Sequence, residues 1–190
     1  MSYWFDQPVN VDKSQNVEIH NIIIDPSTPK TTIPKCFEFK TVTSRHYKII
    51  HAFLCKNYIR DKLNIVKLIY HEDFIYWYLK NVSLNFALAL IYEKNIIGFI
   101  TALFIQVEIH GKIVDMPYIN FLCVDKKLRN CNLGPLLIDE IKKRICQKGI
   151  NHALFTSMSN PTSHFCTSDE YIIPINFDKL VKIGFITDVE

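Results

Sequence analysis

The sequence predicts an α/β (α+β) fold in which helices flank a mixed central sheet. Residues 86–92 and 96–105 are apolar runs on either side of a short polar turn, which is typical of a β-hairpin. Residues 118–124 and 152–158 are further apolar strands, and a helical pattern separates them. Strand, helix and strand of these lengths form a parallel crossover, so the sheet combines antiparallel and parallel pairs.

The helices are predicted from apolar residues that recur every three to four positions. One pattern starts after Ser44, a candidate N-cap, and continues to Tyr58. A second, shorter helix is predicted for residues 73–80. The third has Pro135 in its first turn, where a proline is tolerated, and ends before Gly149.

Turn sequences separate the predicted strands. Glu93, Lys94 and Asn95 connect the two runs of the hairpin, and residues 110–112, His-Gly-Lys, turn the chain into a strand at 113–116. That strand ends before the one predicted for residues 118–124.

The chain of 190 residues suits one domain over residues 1–190, because 48% of it is hydrophobic and 22% charged. Prolines punctuate residues 1–40, which are expected to form an irregular arm packed on this domain. No apolar run approaches the ~20 residues of a membrane-spanning helix, and no signal peptide is recognisable. The six cysteines include no Cys-x-x-Cys pair. We therefore expect a soluble cytoplasmic protein with reduced thiols.

The net charge of +3 is unevenly distributed. Residues 125–148 hold seven basic and three acidic residues, and the rest of the chain holds 15 basic and 16 acidic residues. A concentrated basic segment suits a small polyanionic ligand better than a nucleic acid, whose footprint would spread over a face. The alternative is a solvated helix surface.

The loop at residues 125–135 is the predicted binding site. A loop that leads into a helix N-terminus presents unpaired N–H groups and the positive end of the helix dipole, which favour phosphate. Asn132 and Gly134 are residues that allow a close or left-handed backbone. Asn and Gly also border many helices for conformational reasons alone. The cationic side chains of the loop are Lys126, Lys127 and Arg129.

Two stretches of this region resemble a known family. Arg129-x-x-Asn132-x-Gly134 resembles the pyrophosphate loop of the GNAT acyltransferase superfamily, with Asn in place of the first glycine. Residues 119–129, continued by 135–138, resemble the signature of the N-myristoyltransferases. The further matches, in chain order, are Trp4 with Gln7-Pro8-Val9, residues 33–39 and residues 174–185. The resemblance covers nearly the whole chain and about half of the family's enzyme, which has two GNAT-like halves.

The resemblance implies a GNAT acyl-CoA N-acyltransferase fold and a role for each matching residue. The backbone of Phe121 and Leu122 would form the oxyanion hole for the thioester carbonyl. Tyr58 and Tyr171 would contact a substrate peptide. The residues that would hold the acyl-CoA are Ser2, Tyr3, Trp4, Phe121, Leu122, Cys123, Val124, Lys126, Lys127, Arg129, Asn130, Cys131, Asn132, Leu133, Gly134 and Pro135.

The reaction implied by the resemblance is the transfer of a myristoyl group from myristoyl-CoA to the N-terminal glycine of a protein or peptide. The amine would attack the thioester directly. The family's base is its own chain-terminal carboxylate, a role not carried over to Glu190. Two alternatives stay open: a GNAT acyltransferase that acts on another amine or uses a shorter acyl group, and a non-catalytic acyl-CoA-binding module. A homodimer is a further expectation.

No metal is expected. His164 and Cys166 form a weak ligand set, because no second pair accompanies them. Cys123 lies in an apolar strand and is expected to be a buried structural thiol. Residues 60–62, Arg-Asp-Lys, reverse the charge of the family's acidic peptide loop at two positions.

Overall fold

The computed structural model describes residues 33, 35–59, 67–109, 111–156, 169 and 175–185. The described residues belong to two compact units, 33–156 and 169–185. The elements of the first unit are β1 (Phe37–Thr41), a 3-10 helix (Ser44–His46), α1 (Tyr47–Asn57), α2 (Glu72–Asn81), β2 (Ala87–Tyr92), β3 (Asn95–Ile109), β4 (Lys112–Val124), α3 (Leu133–Cys146) and β5 (Leu154–Phe155). The second unit contains α4 (Phe177–Lys182).

The five strands form one mixed sheet in the order β1-β2-β3-β4-β5. The first three pairs are antiparallel, and β4 and β5 are parallel. Helix α3 connects β4 to β5, so β4, α3 and β5 form the predicted crossover. The predicted fold class is confirmed.

The two hairpins also agree with the prediction, although β3 and β4 are longer than predicted and β2 is one residue shorter. Glu93 and Lys94 both have left-handed φ values, 45° and 66°, as a two-residue type I′ turn requires. Strand β4 is continuous from 112 to 124, where two shorter strands were predicted on either side of Pro117. Pro117 lies opposite Phe104 of β3 and precedes Tyr118 and Ile119, the residues that pair with β5.

Two other strands differ from the prediction. Strand β5 covers Leu154–Phe155 rather than 152–158, of which 157 and 158 lie outside the described residues. Strand β1 covers Phe37–Thr41, which overlaps the arm predicted to be irregular, and it pairs with β2. The local sequence pattern does not predict this strand, because an edge strand is defined by the neighbour that completes its hydrogen bonds.

The predicted helices are present, and one cap is different. Thr43, rather than Ser44, precedes the first helical turn: its N–H donates to His46 Nδ1 (3.0 Å), and its carbonyl accepts from the His46 N–H (2.9 Å). Pro135 lies in the first turn of α3, and Gly149 follows the helix with a left-handed φ of 78°. No helix in the described ranges is long and apolar enough to cross a membrane.

The sheet has a core on each face because successive side chains of a strand point to opposite sides. Helices α1 and α2 cover one face, where Ile50, Ile75 and Phe99 are buried together. Helix α3 covers the other, where Leu137 packs with Leu90. The sheet therefore holds both ends of the candidate site described next: the middle of β4 and the start of α3.

Candidate functional site

Strand β4 contains a bulge at Phe121. Phe121 and Leu122 lie opposite the single residue Ile100 of β3, because the register of the pair shifts there. Phe121 has a φ of 54°, in the left-handed region that bulky residues normally avoid. A bulge of this kind interrupts the ladder locally and changes the direction of backbone N–H groups.

Aromatic packing holds Phe121 in this conformation. The side chain is 1% exposed, and its ring centroid lies 4.8 Å from that of Tyr78, 5.3 Å from Tyr70 and 5.6 Å from Tyr58. Burial raises the pKa of all three tyrosines, so their hydroxyls are neutral at physiological pH. The contacts compensate for a strained backbone.

The Phe121 N–H, one of the two predicted oxyanion-hole donors, already has a partner. It donates to Asn120 Oδ1 at 2.7 Å. The Thr101 hydroxyl donates to the Asn120 carbonyl (3.1 Å) and lies 3.0 Å from the Tyr78 hydroxyl. An entering carbonyl oxygen would compete with the Asn120 amide oxygen for this N–H.

Cys123 is a buried thiol, as expected. It is 4% exposed, and burial raises its pKa to about 12, more than the nearby Arg129 lowers it. A thiol with this pKa is protonated at physiological pH and is a poor nucleophile. The side chain therefore belongs to the core beneath the bulge.

The loop at residues 125–135, which we call the coenzyme loop after its predicted ligand, folds back on Asp125. The Asp125 carbonyl accepts from the Leu128 N–H (2.8 Å), and its Oδ1 accepts from the Lys127 N–H (2.9 Å). Asn130 and Asn132 have left-handed φ values of 73° and 56°. Asn132 has the left-handed backbone that the sequence allowed for it. Asn130 is a second left-handed residue, one that the sequence did not single out for its backbone.

Gly134 lies in the first turn of α3 without a left-handed φ, so conformation does not require a glycine there. A Cβ added at this position would meet nothing within 4 Å. The glycine instead leaves the surface of the first turn open, where a ligand can approach the backbone.

A cavity of about 280 Å³ lies at the N-terminus of α3. It is lined by Val124, Leu128, Arg129, Asn130, Asn132, Leu133, Gly134 and Pro135. The first-turn N–H groups of a helix have no intrahelical acceptor and carry the positive end of its dipole, so the cavity suits an anion. Seven of these eight residues were predicted. Leu128 was not, and the predicted Lys126, Lys127 and Cys131 do not line the cavity.

Arg129 lines the cavity, but its guanidinium also binds to the protein itself. It donates to the backbone carbonyl of Asn57, at the end of α1. The Lys126 N–H donates to Asn57 Oδ1 at 3.2 Å. Asn57 thus bonds to the loop across 69 residues of sequence, a contact that local patterns in the sequence do not reveal.

A larger groove, of about 450 Å³, lies at the other end of α3. Its charged side chains are occupied: Arg144 Nε donates to Glu140 (2.8 Å), and Lys148 Nζ lies 5.0 Å from the Phe86 ring centroid. Lys143 also pairs with Glu140, at 3.6 Å. The basic residues of α3 therefore form an ion-paired helix surface, which is the alternative given above. The loop contains Arg129, the basic residue that lines the cavity.

Several predicted residues lie outside the described part of the chain. They are Ser2, Tyr3, Trp4, Tyr171, His164 and Cys166. Tyr58 is described and belongs to the aromatic cluster around Phe121. Within the described ranges, no three His, Cys, Asp or Glu side chains are grouped as a metal site would require.

The mixed sheet, whose bulged fourth strand leads through the loop into a helix, has the fold of acyl-CoA N-acyltransferases. A crystal structure from Clostridium acetobutylicum, described as a predicted acetyltransferase with acetyl-CoA, shares this fold with a TM-score of 0.51 at 14% identity, over 75% of this chain and 97% of that one. Within this class, the chain belongs to the N-myristoyltransferase family: residues 16–167 match the family described as Myristoyl-CoA:protein N-myristoyltransferase, N-terminal domain.

Relatives extend the likeness beyond this match. A protein of Acanthamoeba polyphaga mimivirus, provisionally named glycylpeptide N-tetradecanoyltransferase, is 39% identical over 186 residues, which cover 95% of this chain and 51% of that protein. The crystal structure of Saccharomyces cerevisiae N-myristoyltransferase with bound myristoyl-CoA matches with a TM-score of 0.79 and 26% identity, over 97% of this chain and 46% of that one. The chain spans about half the length of the curated relatives it matches.

Proposed function

We propose that this chain binds myristoyl-CoA and takes part in transferring the myristoyl group to the amine of an N-terminal glycine. The observation that carries the proposal is the combination of the Phe121 bulge with the cavity at the start of α3. The bulge lies near the end of β4, and the loop that follows β4 borders the cavity. One strand and its loop thus offer donors for a thioester carbonyl and for phosphates. Membership of the N-myristoyltransferase family supports the same ligand.

The proposed chemistry is direct attack of the amine on the thioester. A C–N bond forms, the C–S bond breaks, the amine loses a proton and coenzyme A leaves as its thiol. Negative charge develops on the carbonyl oxygen, and the N–H groups of Phe121 and Leu122 would stabilise it by about 3 kcal/mol each. The Asn120 amide oxygen then yields the Phe121 N–H to the substrate.

The base that accepts the amine proton is not assigned to any residue of this chain. A terminal amine of pKa ~8 is partly deprotonated near neutrality, so attack proceeds without a base at a reduced rate. A positioned base contributes about 100-fold to 10,000-fold. Activity of this chain alone should therefore rise with pH up to about 9.

The cavity residues would hold the coenzyme A phosphates through backbone N–H groups, with Lys126 and Lys127 providing charge nearby. Arg129, which lines the cavity, and Cys131 would contribute to coenzyme A binding from the same loop. Tyr58 would line the route of the peptide. The residues of this proposal outside the described ranges are Ser2, Tyr3 and Trp4 over the acyl-CoA and Tyr171 at the peptide. A cytoplasmic location, one domain over residues 1–190, a homodimer and no requirement for metal or nucleic acid complete the proposal.

Calorimetry with myristoyl-CoA, acetyl-CoA and coenzyme A tests the binding. We expect all three to bind through the loop, with myristoyl-CoA tightest because its chain removes additional apolar surface from water. The proposal would be refuted if none of the three ligands bound.

Mass spectrometry of peptides tests the transfer. A peptide that begins with glycine should gain one myristoyl group at pH 8 to 9, and the matched peptide with an acetylated N-terminus should gain none. Equal modification of lysines or polyamines would favour the alternative acyltransferase.

A non-catalytic acyl-CoA-binding module is the second candidate, favoured by the engagement of the Phe121 N–H with Asn120. Tight binding of myristoyl-CoA without product at pH 9 would support it. Replacing Asn120 by alanine should then release the N–H without producing activity.

A further inference from the structure

Asn57, the last residue of α1, is a buried polar residue with no part in the proposed chemistry. It is 1% exposed. Its Nδ2 donates to the Phe53 carbonyl at 3.0 Å, and its Oδ1 accepts from the Lys126 N–H at 3.2 Å. Burying an amide is unfavourable unless its hydrogen bonds are made, so the two bonds account for its place in the core.

The backbone of Asn57 contacts the coenzyme loop a second time. Its carbonyl accepts from the Arg129 guanidinium. The last carbonyls of a helix lack intrahelical partners and lie at the negative end of its dipole, so a guanidinium is favourable there. The loop is therefore attached to the end of α1 at both Lys126 and Arg129.

The next residue connects the same helix end to the bulge. The Tyr58 ring lies 5.6 Å from the Phe121 ring and is buried. Two consecutive residues, Asn57 and Tyr58, thus contact the loop and the bulge respectively.

We propose that Asn57 is a positioning residue that fixes the coenzyme loop relative to the Phe121 bulge. The distance between the phosphate donors and the oxyanion donors is then constant, so the phosphates and the thioester carbonyl of a bound acyl-CoA reach their donors together. This inference rests on the proposed function. Asn57 contacts no reacting atom and acts through Lys126 and Arg129.

Asn81 provides a matched control. It is the last residue of α2, and its Nδ2 donates to the Trp77 carbonyl four residues earlier, at 2.7 Å, as Nδ2 of Asn57 does to Phe53. Its side chain is directed to its own helix rather than to the loop. Asn57→Leu and Asn81→Leu therefore each remove a bond to the carbonyl four residues earlier, buried in the first case and exposed in the second, and only Asn57→Leu also removes a bond to the loop.

Calorimetry with coenzyme A compares these variants with the unchanged chain. We expect Asn57→Leu to weaken coenzyme A binding by about 10-fold or more, the effect of losing one buried hydrogen bond that orders the site, and Asn81→Leu to change it less than about 2-fold. The affinity for myristoyl-CoA should fall at least as much, because its thioester carbonyl must reach the Phe121 bulge while the loop holds its phosphates. Thermal unfolding reports whether each variant is folded.

A second pair of variants tests the bond from the loop side and leaves the core intact. Lys126 follows Asp125 in a turn closed by the Leu128 N–H, a position where proline is favoured. Lys126→Pro removes the side chain and the N–H, whereas Lys126→Ala removes the side chain alone. We expect Lys126→Pro to bind coenzyme A about 5-fold to 10-fold more weakly than Lys126→Ala.

The outcomes separate this inference from the proposed function. If the unchanged chain binds neither coenzyme A nor myristoyl-CoA, the proposed function fails and this inference with it. If the unchanged chain binds coenzyme A and Lys126→Pro binds as tightly as Lys126→Ala, Asn57 does not position the loop and the inference alone is overturned. A folded Asn57→Leu with unchanged affinity has the same meaning.

Discussion

Single residues at the site adopt backbone conformations that most residues avoid. Phe121, Asn130 and Asn132 all have left-handed φ values. Asparagine tolerates this region better than most residues because its side chain is short and polar, whereas Phe121 depends on the aromatic rings around it. Strain that persists in this way is characteristic of binding and catalytic sites.

Gly134→Ala should change the affinity for coenzyme A without lowering the free energy of unfolding. Its Cβ has free space in the unliganded chain, and alanine favours a helix over glycine by up to about 1 kcal/mol, so the free energy of unfolding should stay equal or rise. The same methyl group would obstruct a phosphate at the first turn, and coenzyme A binding should weaken by about 10-fold or more. Urea unfolding and calorimetry measure the two effects. Unchanged affinity would place the phosphates elsewhere.

Cys123 should make stability depend on alkaline pH. Burial raises its pKa to about 12, so the folded chain retains a proton that the unfolded chain, with a thiol pKa of about 8.5, releases. This contribution to stability is fully present below about pH 8.5 and is lost as pH rises towards 12, by at most about 1.4 kcal/mol per pH unit. Burial raises the pKa of Tyr58 and Tyr78 in the same direction.

Urea unfolding between pH 7 and pH 11 measures this dependence. Cys123→Ala should lose part of the slope and retain the part due to the tyrosines. A free energy of unfolding that stays constant up to pH 11 would contradict the burial of these groups.

At the scale of elements, the packing of α3 on the sheet fixes the position of the cavity. Gly98 of β3 lies directly beneath Leu137 of α3: a Cβ at Gly98 would be 2.8 Å from Leu137 Cδ1 and 3.4 Å from Leu90 Cβ. Leu137 is fully buried, so its side chain has little room to move. The glycine therefore allows α3 to pack closely against β3.

Gly98→Ala should therefore destabilise the chain by about 1–3 kcal/mol through overpacking. In a Leu137→Ala background, the same substitution should have a smaller effect, because the methyl group then occupies space that the leucine has vacated. Urea unfolding of the four proteins of this cycle measures the coupling. Equal costs in both backgrounds would show that Leu137 does not limit the approach.

At the scale of the whole molecule, charge is concentrated where a polyanion would bind. The loop that borders the cavity contains Lys126 and Lys127, and the basic residues of α3 pair with Asp139 and Glu140. The affinity for coenzyme A should therefore fall as the salt concentration rises from 50 to 500 mM, since added salt shortens the screening length, which is about 10 Å at 0.1 M.

Paired substitutions distinguish local charge from net charge. Lys126→Ala with Lys127→Ala and Lys142→Ala with Lys143→Ala each remove two positive charges. We expect the first pair to flatten the salt dependence measured by calorimetry and the second to leave most of it. Similar effects of both pairs would mean that the overall field, rather than the loop, attracts the ligand.

The local part of this architecture followed from the sequence alone. Helical periodicity, the turn at Glu93 and Lys94, and the strand, loop and helix around Asn132 depend on neighbours within a few residues, so local patterns predict them. The family resemblance came from the same contiguous stretch, which includes most of the cavity residues.

Only the tertiary structure decided how these pieces meet. The edge strand β1, the left-handed bulge at Phe121 and the bonds between Asn57 and the loop all depend on partners far away in sequence. Their energies come from hydrogen bonds and ring contacts that exist only after the chain has folded, and no local pattern encodes them. The sequence therefore determined which residues could bind an acyl-CoA, whereas long-range packing decided which N–H groups are available to it.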